Sequence, residues 1–221
     1  MSIVRHIGHP RKEPIYLLTA IKPTILENDV NISKETLFKS IVAKAPVTKD
    51  EFESLAHYFK YETINKKEKL VIEGHLTNKA FFIQKGLLFS YKTLDNGDIQ
   101  VVRFAKENFW IGDLNSFLNR TKALFTIEAL EPSELWSITK EGWDFAVKSS
   151  HAFETYLRIL IQTAYANLLV ELSDIYSQDA KAKYNRLREH YPDLLQRVPQ
   201  YLIASYLGIL PSSLSRIRNQ K

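Results

Sequence analysis

The chain has 221 residues, 45% hydrophobic and 25% charged, with a net charge of +5 and no cysteine. These totals suit one sizeable core plus a small second domain. They exclude disulfides, thiolate zinc sites, cysteine-ligated iron–sulfur clusters and thiol catalysis. No apolar run reaches the roughly 18–20 residues of a membrane span. Arg5, Arg11, Lys12 and Glu13 interrupt any secretory h-region, so a cytoplasmic chain without membrane attachment is expected.

Residues 1–32 carry His9-Pro10, Lys22-Pro23 and one short apolar run, and form an N-terminal extension with no assigned role. Ser33 reads as a helix cap ahead of Leu37, Phe38, Ile41 and Val42 on one face, and Pro46 ends that helix. Thr48 and Glu51 have the spacing of a capping box and open a second helix, with Phe52, Leu55 and Phe59 inward. From residue 61 to 138 the apolar period falls to two. Seven or eight short strands are expected, at 70–72, 81–83, 87–91, 99–104, 109–111, 125–127 and 135–138. Turn signals recur at Glu73-Gly74, Lys85-Gly86, Asn96-Gly97 and Gly112-Asp113, and Asn96-Gly97 is the best hairpin signal of the set. Many short, evenly spaced strands predict a small antiparallel barrel or jelly roll.

Thr139 and Glu141 start helical character that runs without proline to about Ser177. Leu157, Leu160, Ile161, Ala164, Leu168, Leu172 and Ile175 follow a three/four spacing close to a heptad seam. A two-fold dimer helix over 151–177 is expected, with Leu157, Ile161, Ala164, Leu168, Leu172 and Ile175 in the interface. A basic helix follows from Asp179 to His190, and Pro192 ends it.

The last stretch reads as two short helices joined by a tight turn. Leu202, Ile203 and Tyr206 give the first an apolar face, and Gly208 supplies the positive φ needed past its end. Pro211 suits the first turn of the second helix, whose Leu214 and Ile217 turn inward. Residues 178–221 hold eight Lys and Arg against three Asp and Glu, a balance of +5 that equals the chain's own, so residues 1–177 are neutral by difference. A neutral body with a basic tail is the footprint of a nucleic-acid binder. Ser212, Ser213, Ser215 and Arg216 are candidates for a DNA major groove, with Arg218 and Lys221 on the backbone.

The order of helices, barrel, long helix and helix–turn–helix resembles the Crp/Fnr family of bacterial transcription regulators. The resemblance runs from about Leu37 to the end. It is carried by Glu73-Gly74, Phe81-Phe82-Ile83-Gln84-Lys85-Gly86, Asp95-Asn96-Gly97, Phe109-Trp110-Ile111-Gly112-Asp113-Leu114, Ile203-Ala204-Ser205-Tyr206-Leu207-Gly208-Ile209 and Leu214-Ser215-Arg216. The chain is similar to short members found in Bacteroidetes. The resemblance implies an α+β chain: a cyclic-nucleotide-binding-like β-barrel at 33–150, a dimerisation helix at 151–177 and a DNA-binding helix–turn–helix at 178–221. It also implies a homodimer on double-stranded DNA, with RNA polymerase as a further partner.

In that family a glycine–glutamate pair opens a phosphate-binding cassette and an arginine–serine pair follows about ten residues later. Here Gly112-Asp113 opens the loop, and the arginine–serine positions fall on Ala123-Leu124; Arg120 and Lys122 are out of register. The hydroxyls that would meet an adenine fall on Leu168-Leu169. Such a pocket is expected not to bind cyclic AMP, because a cyclic phosphate would lack its arginine. Its lining is expected at Ser90, Val102, Asp113, Leu124 and Leu168, for an unknown small-molecule effector if one exists. The family's arginine–glutamate pair at the start of the recognition helix is replaced by Pro211-Ser212, so the operator should differ. No cofactor or metal is expected: His75 is the sole histidine between residues 61 and 138, too few for a cupin-type metal enzyme, and no enzymatic activity is expected. A ligand sensor or scaffold that no longer binds DNA is the alternative.

Overall fold

A computed structural model describes residues 34–219, all within the unit Ile32–Lys221. Ser33 and Lys221 lie outside the described residues. Two helices open it, α1 (Glu35–Val42) and α2 (Lys49–Leu55), followed by a 3₁₀ turn at Ala56–Tyr58. The expected capping box forms: Thr48 Oγ1 accepts from Glu51 N at 3.2 Å, and Glu51 Oε2 accepts from Thr48 N at 2.8 Å.

Eight strands follow, with one short helix, α3 (Leu114–Asn119), between the sixth and seventh. They are β1 (Lys60–Ile64), β2 (Lys69–Val71), β3 (Lys79–Lys85), β4 (Leu88–Thr93), β5 (Ile99–Ala105), β6 (Trp110–Ile111), β7 (Thr126–Ala129) and β8 (Ser133–Thr139). They form two antiparallel four-stranded sheets in the orders β1-β8-β3-β6 and β2-β7-β4-β5, a jelly-roll-like arrangement. Alternation along each strand gives the two faces different partners. Ile83, Leu88, Ile127, Ala129 and Leu135 fill the space between the sheets.

The outer face of the first sheet, through Phe82, Trp136 and Ile138, packs under α1, α2 and the helices α4 (Lys140–Ser149) and α5 (His151–Ser177). Phe82 and Phe153 are fully buried there, and each such side chain contributes about 1.5–3 kcal/mol. The outer face of the second sheet, through Phe89, Tyr91 and Val101, packs under four C-terminal helices. These are α6 (Ala180–His190), α7 (Pro192–Arg197), α8 (Gln200–Leu207) and α9 (Pro211–Asn219).

Helical character does not run unbroken from Thr139 to Ser177. Ser150 leaves the helical conformation at φ −137° and ψ 115°, and its hydroxyl caps α5 by accepting from Phe153 N at 3.1 Å. Pro192, expected only to end α6, also opens α7 at its first turn. None of the helices among the described residues is long and apolar enough to cross a membrane.

Candidate functional site

The cassette loop is built around Asp113. Its carboxylate is 2% exposed and gathers three backbone N–H groups from both ends of the loop. Oδ1 accepts from Ser116 N at 2.9 Å and so caps α3. Oδ2 accepts from Leu124 N at 2.6 Å and Phe125 N at 3.1 Å. The structure therefore brings Asp113 and Leu124 together, through the backbone of Leu124 rather than through its side chain, which is half exposed. Arg120 is turned toward α4 instead. It ends α3 in the left-handed conformation at φ +55° and lies 3.9 Å from Glu141. Lys122 is exposed, and its backbone bridges to Leu76. The amides of Ser116, Leu124 and Phe125 are thus occupied by the chain's own carboxylate.

Ser90 is buried on β4 directly opposite Arg103 of β5. A register shift between Ser90 and Tyr91 leaves Val102 as an exposed extra residue of β5. Arg103 was not among the expected lining residues, yet its Nη2 lies 3.3 Å from Glu171 Oε2 and ties the barrel to α5. Leu168 is 49% exposed, with Leu169 beside it, also exposed. Two surface hollows lie elsewhere. One of about 400 Å³ is lined by Thr36, Lys39 and Ser40 of α1, by Ala43 and Lys44 just after it, and by Asn108. The other, of about 300 Å³, lies between Asn78, Phe117, Arg120 and Lys140.

Along α5 the expected seam divides. Leu157 is 3% exposed and belongs to its own barrel's cluster with Phe153 and Tyr156, so it is not available to a partner. Ile161, Ala164, Leu168, Leu172 and Ile175 are exposed, as are Tyr165, Leu169 and Tyr176 next to them. The heptad pattern did not single out these three.

In the C-terminal unit, α8 ends at Gly208, φ +70°. Ile209 N donates to Ala204 O at 3.0 Å and Gly208 N to Ser205 O at 3.0 Å, the paired bonds of a Schellman stop. Leu202, Ile203, Leu207 and Leu214 bury the inner faces of α8 and α9. Ser212, Arg216 and Arg218 lie exposed on α9, and neither guanidinium pairs with a carboxylate among the described residues. Ser213 is half buried. Ser215 is exposed, but its hydroxyl donates back to Pro211 O at 3.1 Å.

Residues 61–150 match the cyclic nucleotide-binding domain. The domain is followed here by a long helix, and the fold recurs in solved structures. The chain is similar to FixK2 from Bradyrhizobium japonicum at 14% identity, covering 73% of this chain and 83% of that one, with a TM-score of 0.62. It is similar to CLP of Xanthomonas campestris, a c-di-GMP-responsive global regulator, at 13% identity, with 77% and 89% covered and a TM-score of 0.62. The sensor domain of the transcriptional regulator DNR from Pseudomonas aeruginosa matches at 13% identity, with 66% and 95% covered and a TM-score of 0.51. No curated protein sequence matches the chain. At these identities the likeness is one of fold. Within the domain, Asp113 stands where the opening acid of a phosphate cassette is expected, but its carboxylate is turned onto the loop's own amides.

Proposed function

We propose that the chain is a DNA-binding transcription regulator of the Crp/Fnr type rather than an enzyme. It acts as a homodimer and reads a two-fold symmetric operator through α9. The observation that carries this reading is the α8–turn–α9 unit. Its inner faces are buried around Leu202, Ile203 and Leu214, while Ser212, Arg216 and Arg218 are left on an open basic face. The local charge supports it, because a basic unit on a neutral body favours a polyanion. The exposed apolar length of α5 from Ile161 to Ile175 supports the dimer, since a palindromic site needs two heads about one duplex turn apart. RNA polymerase follows as a partner of a bound regulator.

The cassette takes no cyclic AMP. Asp113 occupies the amides of Leu124 and Phe125, and a phosphate entering there would meet a carboxylate and no arginine. Any effector is an uncharged or apolar molecule.

The test is selection of bound sequences from random duplex DNA at near-physiological salt, with no ligand added. The expected result is enrichment of a two-fold symmetric site. Weak binding that only falls with salt, without a symmetric site, would instead favour a barrel whose heads no longer read DNA.

A further inference from the structure

The head formed by α6–α9 is attached to the rest of the chain at two places. The first is the end of α5. Lys183 Nζ donates to Ile175 O at 3.2 Å, and Arg186 pairs with Asp174. The second is the barrel itself, which a head hanging only from a long helix would not touch. Ser205 of α8 sits on the open edge of β5. Its hydroxyl donates to Ile99 O at 2.7 Å and accepts from Val101 N at 2.9 Å, and Gln100 donates back to Ser205 O. Tyr206 packs on Phe104 with ring centroids 5.4 Å apart.

Arg197, at the end of α7, stands between two barrel carboxylates. Its Nη2 is 2.8 Å from Glu107 Oε1 and 2.6 Å from Glu131 Oε1, and its Nη1 is 3.0 Å from Glu107 Oε2. Glu107 is itself fixed by the Gly86 amide at 3.0 Å. Lys106 Nζ meets Asp193 Oδ2 at 2.7 Å beside this pair. Apolar contact, a capped strand edge and a bidentate ion pair therefore converge on one surface.

We propose that Arg197 is a positioning residue for DNA recognition. Through its clasp on Glu107 and Glu131, the barrel fixes the direction in which each α9 helix is presented. The two heads of a dimer are then pre-organised for a two-fold site without a ligand to order them. The inference rests on the DNA-binding reading above and adds to it the element that sets head geometry. None of the clasp residues lies on α9, so loosening the clasp leaves each head's own contacts with DNA intact. What is lost is the simultaneous engagement of two half-sites.

The experiment compares Arg197→Met with the wild-type chain on the selected full site and on a single half-site. Full-site affinity is expected to fall about 10- to 100-fold while half-site affinity stays the same. Arg197→Lys should recover only part of the loss, because one ammonium cannot span both carboxylates. Ser205→Ala, a small change that frees the β5 edge, should fall in the same direction. It keeps the inference testable if Arg197→Met fails to fold. In both variants the Val101 amide should exchange its hydrogen faster than in the wild type. Equal full-site affinity in wild type and variants would overturn the inference while leaving the DNA-binding reading in place. A rise in full-site affinity would overturn it too, by making the clasp a restraint. A wild-type chain that selects no sequence would remove the DNA-binding reading, and this inference with it.

Discussion

Replacing Asp113 by Ala removes a buried acceptor that closes the cassette loop. Three backbone N–H groups lose their partner, at 2.9, 2.6 and 3.1 Å in the folded chain. A hydrogen bond to a charged group contributes about 1.5–3 kcal/mol, and loss of an N-cap alone costs about 0.5–2 kcal/mol. The Leu124 end of the loop is half exposed, so water can replace part of what is lost. The net cost is roughly 2–4 kcal/mol. For a folded unit of this size, 1 kcal/mol shifts the melting temperature by about 2–4 °C, so a drop of about 5–15 °C is expected. Asp113→Asn keeps one carbonyl acceptor and should fall in between. Thermal denaturation followed by circular dichroism, with urea titration as a second measure, gives both numbers. A change below about 1 kcal/mol in Asp113→Ala would refute the idea that this carboxylate holds the loop. Stabilisation of the wild-type chain by added cyclic AMP would refute the idea that the loop amides are already occupied.

Burial alone would raise the Glu107 carboxyl, but hydrogen bonds from Arg197 and the Gly86 amide, with the guanidinium charge, outweigh it and hold it at about 2, against an ordinary 4.5. Its contribution to stability is therefore present in full above pH 4.5 and lost as pH falls from there toward 2. With 33% exposure of the side chain, that contribution is roughly 1–2 kcal/mol. Acid titration of stability should lose that amount in Glu107→Gln relative to wild type, and identical titration curves would count against the clasp. Gly86 has φ +112°, and an added Cβ would come 2.6 Å from Ser133 Cβ. Gly86→Ala should cost more than about 2 kcal/mol in a urea melt. Ile175 is 60% exposed on α5. Ile175→Glu should convert a dimer to monomer by sedimentation without lowering the monomer's melting temperature, and a variant that stays dimeric would move the interface elsewhere.

What could be read from the residues was local. Thr48 and Thr139 cap α2 and α4 where the sequence places the helix starts, because a cap is decided within four residues. Gly208 and Asn96-Gly97 marked their turns for the same reason. The elements passed over had weak local signals. β1 is an edge strand whose Lys60, Glu62 and Thr63 mask its alternation. α3 is a turn and a half containing two asparagines, and its cap, Asp113, was read as a ligand group. The site was legible only in part. Asp113 and Leu124 were placed in one loop from the sequence, but their bond was not, nor was the burial of Leu157 in its own barrel. Arg103–Glu171 and Arg197–Glu107 join residues 68 and 90 positions apart. Such pairs leave no mark on periodicity or composition.

Ser205 on the edge of β5 also bears on how the chain can be divided. A piece ending after α5 would keep both sheets but uncover the edge strand, along with Phe89, Tyr91 and Phe104 on the outer sheet face. An open edge beside an apolar face is a template for pairing with another chain. The head thus protects the barrel from self-association as well as extending it. The boundary near residue 178 marks a change of architecture, while the buried core runs across it without interruption.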